Sequence, residues 1–316
     1  MKPTVRTLRL PPGFSVRTAV RRLRWSSSDP SILEGGPEGT WLAFRTPDGP
    51  ATLRILPETR GPDGRFTVRA GAWGPGGPWA AAHADELLGL ADDWADFDDD
   101  VAGALPAPLA ALRRTAPMLG APRTRRVWDA LFPSILGQRV TSIEARFAYT
   151  RLSRRYGDPA PGSESGVAPP GLRLPPTREA VGRIPSWEWH AAKVDRARAV
   201  AAMEAARAAG LERLADAEEP DAAARLRSLP GVGVWTAAET VQRSHAAKDE
   251  ISLGDYHLAH HVGQVLLGFR VDDDGLLELL APFAGHRQRV VRLVMASGIA
   301  KQAFGPRLSP LDHRAR

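Results

Sequence analysis

A small α+β unit followed by a mostly all-α core is the fold class that the sequence predicts, on three observations. Between residues 5 and 80, TWLAFRT, ATLRILPE and RFTVRAGAW read as short strands, and the turn formers PDGP and RGPDGR separate them. Beyond residue 100 the apolar residues recur at helical spacing, with neither a strand signal nor a tandem repeat. The 316 residues also exceed what one hydrophobic core usually organises, so more than one packed unit is expected. The division falls into residues 1–100 and 101–316, with a Pro/Gly/Ser-rich insert loop at 157–176.

Within the first unit, AHADELLGLADDWADF is helix-like. Residues 81–100 hold eight acidic groups and no Lys or Arg, a composition that repels a polyanion and suggests a support role. The Asp-rich stretch 92–100 reads as a solvated helix end. Ala- and Pro-rich VAGALPAPLAALRR links onward. In VWDALFPSIL the apolar spacing predicts a helix that Gly137–Gln138 interrupts. Thr141 and Glu144 have capping-box spacing for a helix running to Tyr156. Further helices are predicted over 177–183, 188–209, 221–228, 234–246, 256–267, 274–280 and 286–298.

Bulk composition narrows the function classes. Apolar residues at 43% and charged residues at 25% are ordinary for a soluble globular chain. No apolar run approaches the ~18 residues that span a bilayer, and MKPTVRTLRLPPGF has no apolar signal-peptide region. The absence of cysteine excludes disulfides, cysteine-ligated zinc, cysteine-ligated iron–sulfur clusters and thiol nucleophiles. A cytoplasmic protein, associated with the nucleoid, is the expectation. Residues 1–100 carry 12 basic and 14 acidic side chains, net −2, whereas residues 101–316 carry 30 and 22, net +8. The excess is nearly all arginine, whose fork suits phosphate oxygens. A polyanionic partner for the second part is reasonable.

Leu229-Pro230-Gly231-Val232-Gly233 is the strongest local signal. Pro230 ends the helix before it. Gly231 and Gly233 permit positive φ and a close backbone approach, and the helix that follows presents free N–H groups, with Thr236 in its first turn. Such a turn holds a DNA backbone without reading sequence. Twenty-two residues past Gly233, Gly254-Asp255-Tyr256 opens another helix. A helix N-terminus helps keep Asp255 ionised, and an ionised carboxylate can stabilise positive charge that develops near it. Capping of that helix is the bland alternative, and the two roles are compatible.

The L-P-G-V-G string resembles the helix-hairpin-helix motif of the base-excision DNA glycosylase superfamily. The similarity extends over about 120–300. Ile135-Leu136-Gly137-Gln138-Arg139-Val140 resembles the I-L-G-Q-x-V-S segment of the 3-methyladenine DNA glycosylase II (AlkA) type. Lys193-Val194-Asp195-Arg196-Ala197 before a long helix, and the closing GHRQRVVRLV with its arginines on one side, keep that type's order. The resemblance implies a helical core in two lobes behind an antiparallel-sheet domain. Asp255 is then the catalytic carboxylate, and Trp235, Tyr256 and Glu239 belong to the base pocket. Gly231, Val232, Gly233 and Thr236 hold DNA at the hairpin, while Gln138 and Arg139 fill the gap left by a flipped nucleotide. It further implies a monovalent cation, Na+ or K+, on the backbone carbonyls of Arg227, Leu229 and Val232, with no other cofactor. Damaged double-stranded DNA is the implied partner, and a monomer is expected.

Departures from the pattern matter. Superfamily lyases carry a Schiff-base lysine where this chain has Trp235, and no lysine occurs from 194 to 247, so a monofunctional hydrolase is expected. The indole face favours a cationic alkylated purine. Glu239 stands where the AlkA type often has an aromatic. It is read either as a base-edge contact or, preferably, as an ion pair with Arg243 at i+4. His257, His260 and His261 lack the rest of a metal-binding pattern, and Trp187 and Trp189 flank Glu188 as core, rim or DNA contacts. Two rivals remain: a glycosylase for oxidised, deaminated or mismatched bases, and a non-catalytic DNA-binding protein built on the same hairpin.

Overall fold

A computed structural model describes residues 2–56, 59–60, 66–115 and 119–299. Strands β1 (Thr4–Leu10), β2 (Ile32–Glu34), β3 (Thr40–Thr46), β4 (Gly49–Ile55), β5 (Thr59–Arg60) and β6 (Phe66–Trp73) form one antiparallel sheet. Its order is β1-β6-β4-β3-β2, with β5 on β6. The β3–β4 hairpin closes where PDGP predicts it: Thr46 pairs with Gly49, and Gly49 takes φ 117°, which a side chain resists. RGPDGR lies mostly outside the described residues. Inside the segment read as strands, VRTAVRRL is instead helix α1 (Val16–Leu23). Ser15 caps it by accepting the Thr18 amide at 3.2 Å, and Val16, Ala19, Val20 and Leu23 bury one stripe against the sheet.

Fourteen further α-helices follow among the described residues. They are α2 (Gly77–Ala82), α3 (Ala84–Leu87), α4 (Ala95–Asp100), α5 (Ala107–Thr115), α6 (Val127–Leu136), α7 (Ser142–Tyr156), α8 (Arg178–Gly182) and α9 (Ser186–Ala191). The chain continues through α10 (Arg196–Arg207), α11 (Glu219–Arg227), α12 (Val234–Ser244), α13 (Leu258–Leu267), α14 (Asp273–Leu280) and α15 (Arg287–Ala296). AHADELLGLADDWADF is broken into pieces of α2, α3 and α4, and the supposed linker contains α5. The helix predicted over 188–209 divides into α9 and α10. Lys193 adopts φ 58° between them, and Asp195 restarts the helix by accepting the Arg198 amide at 3.0 Å.

Two hydrophobic clusters organise the helical part. Val127, Leu131, Ile135, Leu152, Ala202, Leu226 and Val241 belong to the first, drawn from residues 127–247. The second joins Trp94, Phe97, Leu105 and Leu109 to Leu258, Leu280, Val290 and Val294 of the C-terminal helices. Residues 94–100, grouped by composition with the sheet, therefore pack with the C-terminal helices.

The Asp-rich stretch is solvated only in part: Asp93, Asp98, Asp99 and Asp100 are exposed, whereas Asp92 and Asp96 turn toward the C-terminal helices. Arg289, 0% exposed, donates to Asp92 at 2.8 Å and to Asp96 at 2.6 Å. Arg292 reaches Asp92 at 2.7 Å, Lys248 reaches Asp96 at 2.6 Å, and Arg113 reaches Asp98 at 2.6 Å. Trp94 stacks beneath the Arg113, Arg289 and Arg292 guanidinium groups at 4.9, 5.2 and 5.7 Å. The arginines of the closing helix are thus structural, since an uncompensated charge at such depth would be very costly. Arg287 joins them by pairing with Asp249. No helix among the described residues is long and apolar enough to cross a membrane.

Candidate nucleic-acid interface and active site

The hairpin forms as its residues dictate. α11 ends at Arg227, and the Val232 amide donates to the Leu229 carbonyl at 3.1 Å to close the turn. Gly231 has φ 78°, and a Cβ there would lie 2.6 Å from the Cβ of Ala201 on α10, so both conformation and space demand glycine. Gly233 differs from expectation: its φ of −92° and ψ of −175° are extended. It serves as N-cap of α12, and a Cβ there would meet nothing within 4 Å. Its side therefore opens to solvent, where an anion can approach the free amides of α12. The Val232 side chain is buried, leaving its backbone as the only part able to contact a ligand.

The turn after α6 lies against this hairpin. Gln138 Nε2 donates to the Gly231 carbonyl and to Thr236 Oγ1, both at 2.8 Å. Gln138, half-buried, thus turns its Nε2 toward the hairpin, and the Thr236 side chain is enclosed. Thr236 is 2% exposed, and its carbonyl also accepts the Thr240 hydroxyl. Arg139 is the residue presented outward, exposed and with φ 53°. Gly137 sits against Trp235: a Cβ there would come within 3.2 Å of the indole Cη2. Arg198, which sequence reasoning missed, braces the turn from beneath. It is 2% exposed and donates to the carbonyls of Leu136 at 2.7 Å and Lys193 at 3.0 Å while pairing with Asp195 at 2.6 Å. The Asp195–Arg198 i,i+3 spacing in the KVDRAR string was its available signal. Thr141 and Glu144 form the predicted capping box that starts α7.

Trp235 and Glu239 occupy one half-buried face of α12. Glu239 accepts the Ser252 hydroxyl at 2.6 Å rather than pairing with Arg243, so the i+4 ion pair is replaced by a link to the next loop. Arg243 turns instead toward the sheet unit, 3.8 Å over the Trp25 ring and donating to the Arg22 carbonyl. Burial pulls its pKa down, against the opposing pull of Glu239. Gln242 donates to Ser252 Oγ at 3.0 Å and to the Glu250 carbonyl at 2.9 Å. Ser252 therefore straps the 250–255 loop to the Trp235-bearing helix.

Asp255 follows on that loop, its amide donating to the Ser252 carbonyl. Its Oδ1 accepts the amides of His257 at 2.8 Å and Leu258 at 2.9 Å, the N-cap and first residue of α13. Its Oδ2 accepts no hydrogen bond among the described residues. Capping is thus real and leaves one carboxylate oxygen available. Gly254, with φ 81°, makes the sharp entry and donates to Asp273 at 2.9 Å. Tyr256 is 70% exposed, its ring edge-on to His257 at 4.8 Å. His260 and His261 bond the carbonyls of Val271 and Ile299. Trp189 is core, whereas Trp187 is 70% exposed.

Two cavities lie elsewhere, and neither is lined by Trp235 or Asp255. One, of about 40 Å³, is bounded by Trp25, Phe44, Arg126, Tyr149 and Arg243, between sheet and helices. The other, of about 510 Å³, is an open groove beside Arg45 and Asp158.

No family model and no curated protein matches the sequence. Solved structures do. A 3-methyladenine DNA-glycosylase from Archaeoglobus fulgidus superposes with a TM-score of 0.73 at 17% identity, covering 92% of this chain and 97% of its own. A structure of MBOgg1 in complex with a low-affinity DNA ligand gives 0.68 at 13% identity, covering 94% and 98%. The apo 8-oxoguanine glycosylase/lyase of Clostridium acetobutylicum gives 0.66 at 9% identity, covering 94% and 99%. With the hairpin, the strapped loop and the sheet unit all in place, this chain has the fold of the helix-hairpin-helix DNA glycosylases.

Proposed function

We propose that the protein is a monofunctional DNA glycosylase that extrudes an alkylated purine of the 3-methyladenine type and hydrolyses its N-glycosidic bond. The carrying observation is Asp255. One carboxylate oxygen is fixed by two helix amides, the other is unengaged, and the loop bearing it is strapped by Ser252 to the helix of Trp235 and Glu239. On this reading the two helical clusters are lobes and the nucleotide enters between them. The hairpin amides hold a phosphate, Arg139 enters the vacated space, and Trp235 stacks with the base. As the C–N bond breaks, positive charge develops on the deoxyribose, and Asp255 stabilises it while water attacks. The products are a free base and an abasic site. A purine made cationic by alkylation leaves readily, so a strong general acid is unnecessary.

Strand cleavage by a lyase step requires an amine nucleophile. Trp235 occupies that place, Lys193 Nζ lies 5.4 Å over the Phe147 ring, and Lys248 Nζ is held by Asp96. At the hairpin, the carbonyls of Arg227 and Val232 accept no hydrogen bond among the described residues, and that of Leu229 accepts one amide. These are the oxygens that a monovalent cation would take, and it would add positive charge beneath a bound phosphate. All residues of the reading lie on one chain, so a monomer suffices.

A second reading, excision of an oxidised or deaminated base, is favoured by Glu239, an acceptor able to bond the N–H edge of a neutral base. Free-base release from methylated, 8-oxoguanine, hypoxanthine and uracil duplexes separates the two: methylated purines are the expected substrates. Asp255→Asn should lower release by roughly 100-fold or more, the scale of a lost electrostatic stabiliser, while abasic-site DNA stays bound. Undiminished release would reject the assignment.

A further inference from the structure

We propose that Gln138 is a positioning residue that couples phosphate binding at the hairpin to extrusion of the base; the inference rests on the glycosylase reading. The Gly231 carbonyl can only accept, so the amide orientation is settled: Nε2 faces the hairpin and spends both hydrogens there, one on Gly231 and one on Thr236. Gly231 belongs to the phosphate-gripping turn and Thr236 to the first turn of the base-pocket helix. One side chain thus ties three functional parts: the turn carrying Arg139, the hairpin and α12.

Two further contacts leave little play in the arrangement. Gly137 lies against the rim of the Trp235 indole, and Arg198 holds the Leu136 carbonyl at 2.7 Å. The Arg139 backbone, at φ 53°, is held in a conformation that a non-glycine residue adopts only when its surroundings impose it. Once the hairpin seats on a phosphate, Arg139 stands at a set offset from that phosphate. Unstacking a base costs a few kcal/mol. Backbone contacts offset that cost only if the inserting residue cannot retreat when the helix resists. Gln138 supplies the rigidity without touching DNA.

The test compares the wild-type protein with Gln138→Leu on three duplexes: a paired methylated purine beside 2-aminopurine, the same lesion in a single-nucleotide bulge, and an abasic site. With Gln138→Leu, the 2-aminopurine unstacking signal and release from the paired lesion should fall roughly tenfold, about 1.4 kcal/mol. Abasic-site affinity and release from the bulge, where the base is already outside the stack, should stay within roughly threefold.

Gln138→Glu adds a readout that a packing role would not move. Ionised, it repels the Gly231 carbonyl. Protonated as the pH approaches the ordinary glutamate value of about 4.3, it can donate to that carbonyl. Its release rate relative to wild type should therefore recover as pH falls toward about 4.5. Equal losses on all three duplexes, no loss on any, or a flat ratio for Gln138→Glu would overturn the coupling role. If the wild-type protein neither binds abasic DNA nor releases a base, the glycosylase reading itself fails and takes this inference with it.

Discussion

The arginines of α7 and those of α15 look alike in sequence and behave as opposites in the structure. On α7 and the turn before it, Arg139, Arg146, Arg151, Arg154 and Arg155 all face solvent, with Glu188 within 4 Å of Arg151 and Arg155 only. On α15, Arg289 and Arg292 are enclosed by Asp92, Asp96 and Trp94, and Arg287 by Asp249. A net charge of +8 over residues 101–316 therefore overstates what is available to a polyanion. Part of it is matched by carboxylates that the chain places before residue 100.

The contrast is breakable. The largest effect should come from Arg289→Met, which takes from buried Asp92 one of its two arginine partners and leaves it Arg292 alone. A loss of about 3–5 kcal/mol is expected, visible as a lower denaturation midpoint, with DNA affinity per folded molecule unchanged. A loss of affinity at full stability would show that α15 faces the ligand.

Acid should sharpen the same division. Burial pushes the Asp92 carboxyl up, but Arg292, Arg289 and the Ala121 amide together hold it below the usual carboxylate range. Asp96 is likewise held low, as Lys248 and Arg289 outweigh its desolvation. A carboxylate with a depressed folded pKa stabilises the fold fully above its unfolded value, near 3.9, and less as pH falls through the folded value. The Asp92 and Asp96 contribution should thus be constant from pH 5 to 8 and decline progressively below about 4. In wild type, amide exchange should then open α4 and α15 before the sheet.

The smallest effect belongs to the exposed group. Arg146→Ala should leave stability within about 0.5 kcal/mol. If its guanidinium meets a phosphate, DNA affinity should fall a fewfold and the salt dependence should become shallower by about 0.9 in log–log slope. An unchanged slope would remove Arg146 from the interface.

Local chemistry was legible where it is self-contained. The hairpin, the Thr141–Glu144 box, the PDGP turn and the capping Asp255 each follow from residues within a few positions of one another. Ser15 with Val16, Ala19, Val20 and Leu23 is an equally plain amphipathic helix, lost by extending a strand pattern across it. What short-range reading cannot reach is pairing across the chain. Asp92 meets Arg289 at a separation of 197 residues. Gln138 meets Gly231 across 93. Glu239 chooses Ser252 over the nearer-looking Arg243 because the loop brings a hydroxyl to it while Trp25 draws the guanidinium away. A spacing rule says which partners are feasible; the packing of distant segments decides which one is taken.

The segment 157–176 reads as a Pro/Gly/Ser-rich loop, yet Ala160, Ala168, Leu172 and Leu174 lie on Trp41 and Trp73, themselves stacked at 5.4 Å. Thr52 of the sheet bonds the Pro161 carbonyl, and the Arg173 amide bonds that of Pro30. A sheet of this kind has two sides to keep dry, and α1 and α2 attend to one. The other is shingled by a stretch of helical-domain chain with almost no regular structure of its own. Trimming that stretch to tidy the protein would strip the roof from a pair of tryptophans and leave the two units joined by fewer threads.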